Sequence, residues 1–249
     1  MIEQIQVIEH GAVLELVLNR PNKKNALTLA MYTELSQQLV DADKNDNINV
    51  VVLRGEGDAF CAGNDINDFV AAVSNPEALK CIVGFLHTIA NFKKPVVAAV
   101  HGDAVGIGTT MMLHCDCVIA GRDLSCYTPF VKLGLVPEGG SSLLMPQMMG
   151  HRQAFELLIE GKRFNADKAL NVGLVNAVVE NEWLVSETRK RAEAIAALPA
   201  EATVTSKALI KKNYLEELHG IMDEEGMMFY ERLSSDEARQ AFMSFLQKA

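Results

Sequence analysis

Apolar and polar residues alternate from Ile2 to Ile8 and again from Val13 to Leu18, with Gly11 between them. This period of two predicts an antiparallel hairpin. The period then lengthens. Leu29, Leu35, Leu39 and Val40 share one side of a helix that is predicted to start at Thr28, whose hydroxyl can accept from a free first-turn N–H, and to end near Asp43. Val50 to Leu53, Pro95 to Val100 and Cys117 to Ala120 are short unbroken apolar runs, the signature of strands covered on both faces. Pro76 to Phe92 reads as a helix between the first two, and another helix through Met111 and Leu113 precedes the third. Gly55 to Gly63 and Gly102 to Gly108 read as glycine-rich connections. Past Gly150 the pattern turns helical, over roughly 151–160, 183–197, 201–214 and 221–247, with one strand near Val175 to Val179. Strands alternating with helices predict an α/β core, assigned here to residues 1–195, followed by a helical region over 196–249. No internal repeat or low-complexity tract interrupts this order.

Composition narrows the setting. The 249 residues are 49% hydrophobic and 22% charged, enough apolar material for a substantial core. A formal charge of -9 disfavours nucleic acid and anionic membranes as general partners, while leaving room for a local cationic patch. The five cysteines are odd in number and irregularly spaced, which fits a reducing compartment rather than a disulfide framework. No signal-peptide order opens the chain, no apolar run reaches the ~18 residues of a membrane span, and Gln247-Lys248-Ala249 is not the peroxisomal tripeptide. A cytoplasmic location is expected.

Two glycine-rich turns carry the candidate chemistry. Asp58-Ala59-Phe60-Cys61-Ala62-Gly63-Asn64-Asp65-Ile66 and His101-Gly102-Asp103-Ala104-Val105-Gly106-Ile107-Gly108 each follow a strand and precede a helix. Small residues there let a ligand approach the backbone, whose N–H groups become donors; the plain alternative is a connection that needs glycine to turn. The second turn has G-x-G without the third glycine or the distal acidic residue of a dinucleotide site. No P-loop and no G-x-S-x-G elbow occur. His114, Cys115 and Cys117 lack a second pair at ligand spacing, so no metal is expected. His87, His101 and His151 read as structural. Methionines such as Met111, Met112, Met145, Met227 and Met228 suit a core or a subunit contact, and could also line an acyl tunnel.

In order along the chain, NRPNKKNALT (19–28), Asp58 to Ile66, KPVVAAVHGDAVGIG (94–108), Cys115 to Gly121, GLVPEGG (134–140) and Gly161 to Val175 resemble the crotonase, or enoyl-CoA hydratase/isomerase, superfamily. The resemblance implies a spiral of ββα turns with a C-terminal helical region used for trimerisation. It implies an acyl-CoA thioester as substrate, a homotrimer or dimer of trimers, and no cofactor beyond the coenzyme A of the substrate. It further implies that the N–H groups of Asn64 and Ile107 hold the thioester oxygen; many relatives have glycine where Ile107 stands. Lys23, Lys24, Ala26, Ala62, Gly63, Asp65, Ile66, Gly106, Phe130 and Leu133 are the implied substrate contacts, with Phe130 and Leu133 facing the acyl group.

Hydratases of this family use two glutamates, and the matching positions here read Thr110 and Phe130. Glu138, in LGLVPEGG (133–140), offers a carboxylate eight residues later. Burial there would raise its pKa and make it a competent base. The motif resembles the peroxisomal-type Δ3,Δ2-enoyl-CoA isomerases, in which a glutamate at this place is the base, as does Tyr127-Thr128-Pro129-Phe130. The plain reading of Glu138 is a carboxylate at a helix N-terminus. Asp103 is a candidate second acid or a solvent-facing group, and Asp65 a cap for a following helix. The expectation is an enoyl-CoA isomerase. Hydration, thioester hydrolysis and a non-catalytic acyl-CoA-binding module are the alternatives.

Overall fold

The computed structural model describes residues 3–65, 68 and 76–246. The hairpin forms from β1 (Ile5–His10) and β2 (Val13–Leu18), antiparallel, with Ile5 opposite Leu18 and His10 opposite Val13. The apolar runs become β3 (Val50–Gly55), β5 (Val96–Val100) and β7 (Cys117–Gly121), which join β2 in parallel, and β10 (Ala177–Val179) completes a six-stranded sheet ordered β1-β2-β3-β5-β7-β10. Both faces of the sheet are covered, which is why these strands read as unbroken apolar runs. One face packs on α1 (Leu29–Lys44) and α2 (Pro76–Asn91) in the main core; the other meets α7 (Leu184–Ala196) through Val50, Val52, Val97 and Ala99. Thr28 caps α1 as expected, its side chain accepting from the Met31 N–H at 3.2 Å.

A second sheet, which the hydrophobic pattern did not show, supplies the second strand of each ββα turn. The glycine-rich connections each contain a three-residue strand: β4 (Ala59–Cys61) in the first and β6 (Asp103–Val105) in the second. With β8 (Ser125–Tyr127) and β9 (Phe164–Asn165) they form a four-stranded sheet ordered β4-β6-β8-β9. Strands of two or three residues are too short to show a period. Their origin is geometric: β4, β6 and β8 follow β3, β5 and β7 within a few residues. The long strand, the short strand and the returning helix make one turn of a ββα spiral, the crotonase-type fold.

The helical region also departs from its expected limits. α4 (Ser141–Met149) forms where no element was assigned, with Pro146 inside it, followed by α5 (His151–Leu158) and α6 (Ala166–Asn171). The segment expected as one helix over 221–247 is two, α9 (Leu215–Leu233) and α10 (Asp236–Leu246), preceded by α8 (Ala200–Lys211). The Ser235 hydroxyl accepts from the Ala238 N–H at 3.1 Å and so starts a new helix. α9 packs against α2 across Gly226; a Cβ there would lie 3.1 Å from Val83 Cγ2, so the missing side chain sets how closely the two helices approach. Among the described residues no helix is long and apolar enough to cross a membrane.

Candidate active site

The first turn is zipped to the polar loop before α1. Ala62 N donates to Lys24 O at 2.9 Å, Leu27 N to Gly63 O at 2.8 Å and Asp65 N to Leu27 O at 2.8 Å. Bonds through residues 63 and 65 flank Asn64 in this parallel bridge, so the N–H of Asn64 itself turns the other way. In the second turn Gly106 O accepts from Thr109 N and Thr110 N and opens the short α3 (Ile107–Thr110). Ile107 is its first residue, and a first-turn N–H has no partner within its own helix. The Ile107 side chain is 1% exposed and packs in the main core. The isoleucine side chain is accommodated in the core, and Ile107 also borders the larger cavity.

These two turns line one cavity of 660 Å³, together with Ala62, Gly63, Gly106, Phe130 and Leu133. A narrower apolar cavity lies between α2 and α9, lined by Val83, Leu86, Met222 and Phe229, with Asn64 and Glu138 among its walls. Asn64 and Phe229 border both.

Glu138 is 8% exposed. Its Oε1 accepts from the Thr110 hydroxyl at 2.5 Å. Burial pushes its carboxyl up from 4.5 to about 8; the Thr110 hydrogen bond works against that shift, and the Glu225 carboxylate adds to it. The turn that carries Glu138 is gripped on both sides. His114 Nε2 donates to Gly139 O at 2.8 Å, and Glu225 on α9 accepts from Gly140 N at 2.6 Å and Ser142 N at 2.9 Å. Burial takes His114 down to about 4, so the ring is a neutral donor at physiological pH.

At the mouth of the larger cavity Asp103 sits between Lys24 at 2.7 Å and Arg163 at 3.2 Å. The hydrogen bond from Lys24 is the main cause of its lowered pKa. Arg163 lies 4.5 Å over the Tyr127 ring and Lys132 Nζ 5.5 Å from it. The mouth is thus cationic, and Lys132 and Arg163 line it rather than Lys23. Lys23 is exposed beside the site. Ala26 O accepts from Arg20 Nη1 at 2.6 Å and Asp65 pairs with Arg20 at 3.0 Å, so these two hold the loop together and do not line either cavity. Ile66 lies outside the described residues, as does most of the segment that Asp65 was expected to cap.

Thr110, Tyr32, His114 and Glu225 are supports that sequence reasoning did not assign to the site. Glu225 left a signal: it falls in register with Leu218, Met222 and Phe229 on the buried face of α9, a carboxylate in an apolar stripe. Chemically, the arrangement sets a buried carboxyl, Glu138, in a cavity wall that it shares with Asn64. The carboxylates that line the two cavities, among the described residues, are Glu138 and the ion-paired Asp103.

A family model for enoyl-CoA hydratase/isomerase matches residues 9–249. Enoyl-CoA delta isomerase 2 of Rattus norvegicus is 36% identical over 97% of this chain, which spans 63% of that protein, a little under two thirds of its length. 1,2-Epoxyphenylacetyl-CoA isomerase of Escherichia coli K12 is 31% identical, over 97% of this chain and 94% of its own. The crystal structure of an enoyl-CoA hydratase/isomerase from Pseudoalteromonas atlantica T6c superimposes with a TM-score of 0.94 at 39% identity, covering 99% of this chain and 98% of that one.

Proposed function

The chain belongs to the enoyl-CoA hydratase/isomerase family, and from that premise we propose that it moves the double bond of a 3-enoyl-CoA into conjugation with the thioester, using Glu138 as its one base. The observation that carries this reading is the buried carboxyl of Glu138, which lines the narrower cavity with Asn64; among the described residues the other carboxylate near it, Glu225, is tied to the Gly140 and Ser142 N–H groups.

Ionised Glu138 takes a proton from C2. The electron pair spreads over a dienolate, whose negative oxygen is held by the N–H groups of Asn64 and Ile107. The same carboxyl then returns the proton at C4, and the double bond passes from C3–C4 to C2–C3. Main-chain donors aimed at a developing oxyanion are worth roughly 3 kcal/mol each, and a positioned acid–base group contributes on the order of 10²–10⁴-fold. Apolar walls around Glu138 keep the carboxyl basic enough to act near neutral pH. The coenzyme A portion of the substrate lies in the larger cavity toward Lys132 and Arg163, with Phe130 and Leu133 on its acyl side, and the acyl tail points toward the gap between α2 and α9. No cofactor is required.

The reading includes assembly into trimers in the cytoplasm. A groove of 580 Å³ at α8 and α9, which shares no lining residue with either cavity, is bordered by exposed Leu209 and adjoins exposed Ile210, an apolar face suited to a second copy.

The test supplies 3-enoyl-CoA and 2-enoyl-CoA separately and identifies the products. Conversion of the first to 2-enoyl-CoA, with no 3-hydroxyacyl-CoA formed from the second, is expected. Water addition as the main reaction, release of free coenzyme A, or binding without turnover would each replace this reading.

A further inference from the structure

Asn64 is supported on one side only. Its neighbours pair with Leu27, but the other side of its backbone faces the two cavities. The residue before it, Gly63, has φ +96, so the stretch leading to Asn64 is a turn rather than a strand continued by a ladder. The anchor on the far side comes from a side chain. Tyr32 Oη donates to Asn64 Oδ1 at 2.6 Å, reaching across 32 residues of chain from the second turn of α1.

We infer that Tyr32 is a positioning residue for the thioester-oxygen donor: its hydroxyl clamps the Asn64 side chain so that the Asn64 N–H stays aimed into the cavity. The inference rests on the proposed role of that N–H.

The clamp is rigid at its base. Tyr32 is 1% exposed, its ring lies 5.5 Å from that of Phe85 on α2 at 57°, and its own N–H is held by Thr28 O at 3.1 Å. Burial lifts the phenol well above its ordinary 10, so the hydroxyl stays a donor throughout the working range and does not compete with Glu138 as an acid or base. The acceptor is a neutral amide. An aspartate in its place would set a negative charge beside the oxygen on which negative charge must develop. Were Tyr32 only a packing residue, phenylalanine would serve equally, since the ring fills the same space.

That difference is the experiment. Tyr32→Phe, Asn64→Ala and the double variant are compared with wild type for isomerase kinetics, and each is titrated with acetoacetyl-CoA, whose enolate absorption reports stabilisation of a thioester-linked oxyanion. Thermal melts establish that the variants fold. Each single variant is expected to lose roughly 10- to 100-fold in kcat, the scale of a donor moved out of line, with KM within about twofold. The double variant is expected to lose no more than the singles, because both remove one clamp. The enolate band, strong in wild type, is expected to weaken in all three. Wild-type kcat and an undiminished band in Tyr32→Phe overturn the inference, as do losses that multiply in the double variant. A wild-type protein that forms no enolate band removes the reading of the site itself, and this inference with it.

Discussion

The Thr110 hydroxyl donates to Glu138 Oε1 at 2.5 Å, joining the last residue of α3 to a residue 28 positions later. Thr110 stands at a position where the family resemblance implies a glutamate in hydratases. Here the side chain at that position does not take part as a second acid. It moderates the proton affinity that burial gives Glu138, the carboxyl that lines the inner cavity among the described residues.

A first prediction follows from the sign of that contact. The hydroxyl stabilises the ionised carboxylate, opposing the burial that takes Glu138 to about 8. Thr110→Val keeps the shape and removes the donor, so the pKa rises further. A hydrogen bond to a charged group is worth about 1.5–3 kcal/mol, which moves the acid limb of the kcat/KM profile by about one pH unit or more toward alkaline. At pH 7 the variant should be about tenfold slower than wild type, with the gap closing above pH 9. Equal profiles would show that Thr110 does not tune the base.

A second prediction concerns stability. In the unfolded chain Glu138 ionises near its ordinary 4.5, whereas in the folded protein it holds its proton up to about 8. Across that window the unfolded state binds fewer protons, so stability falls as pH rises from 4.5 toward 8. Glu138→Gln has no proton to lose. The variant should lose at least about 10³-fold in isomerase activity and yet melt several degrees above wild type at pH 8, with the difference shrinking to near zero at pH 4.5. Thermal melts at the two pH values decide it; a wild type that gains stability from pH 5 to 8 relative to the variant would contradict the buried, proton-holding carboxyl.

Much of the fold was legible because burial leaves a local trace. The runs at Val50, Val96 and Cys117 are apolar throughout because helices cover both sheet faces, and Thr28 precedes α1 as a cap must. The second sheet left no trace, since β4, β6 and β8 have three residues each and β9 two. The same division holds at the site. Glu138, Asn64 and Ile107 stand in short contiguous motifs. Their supports are held by contacts between distant segments: Tyr32 to Asn64, Thr110 to Glu138, His114 to Gly139, Glu225 to Gly140. No spacing rule connects residue 225 to residue 140. Lys23 and Arg163 show the same limit in reverse: adjacency to a motif favoured Lys23, while the spiral brings Arg163 to the mouth from 60 positions beyond Asp103.

A third prediction tests the second donor. Gly106 precedes α3 with φ 55 and ψ -118, a conformation that L side chains rarely adopt. A Cβ there would meet nothing nearer than Phe130 Cε1 at 3.9 Å, so Gly106→Ala introduces backbone strain without a clash. Strain of this kind costs about 1–3 kcal/mol, and relaxing it rotates the peptide that carries the Ile107 N–H. The expected result is a folded protein whose kcat is roughly 10- to 100-fold lower, with KM little changed. Steady-state kinetics beside a melting curve check it; a stable variant with wild-type kcat would separate the Ile107 N–H from the reaction.

The last prediction concerns the mouth. Arg163 and Lys132 flank Tyr127 at the entrance of the 660 Å³ cavity, and Arg163 also pairs with Asp103. Phosphate groups of coenzyme A would compete with Asp103 for the guanidinium, and a planar bidentate donor suits them well. Arg163→Ala should therefore raise KM for an enoyl-CoA by about tenfold, the scale of one charge-assisted contact, while leaving kcat within about twofold. The decisive comparison is an enoyl-pantetheine thioester, which keeps the reacting carbons and the thioester but lacks the nucleotide phosphates. With that substrate the wild type and Arg163→Ala should have the same KM. A loss of equal size on both substrates would mean that Arg163 supports the loop bearing Asp103 and makes no contact with the nucleotide end, and high salt would then leave the KM of the wild type unchanged instead of raising it.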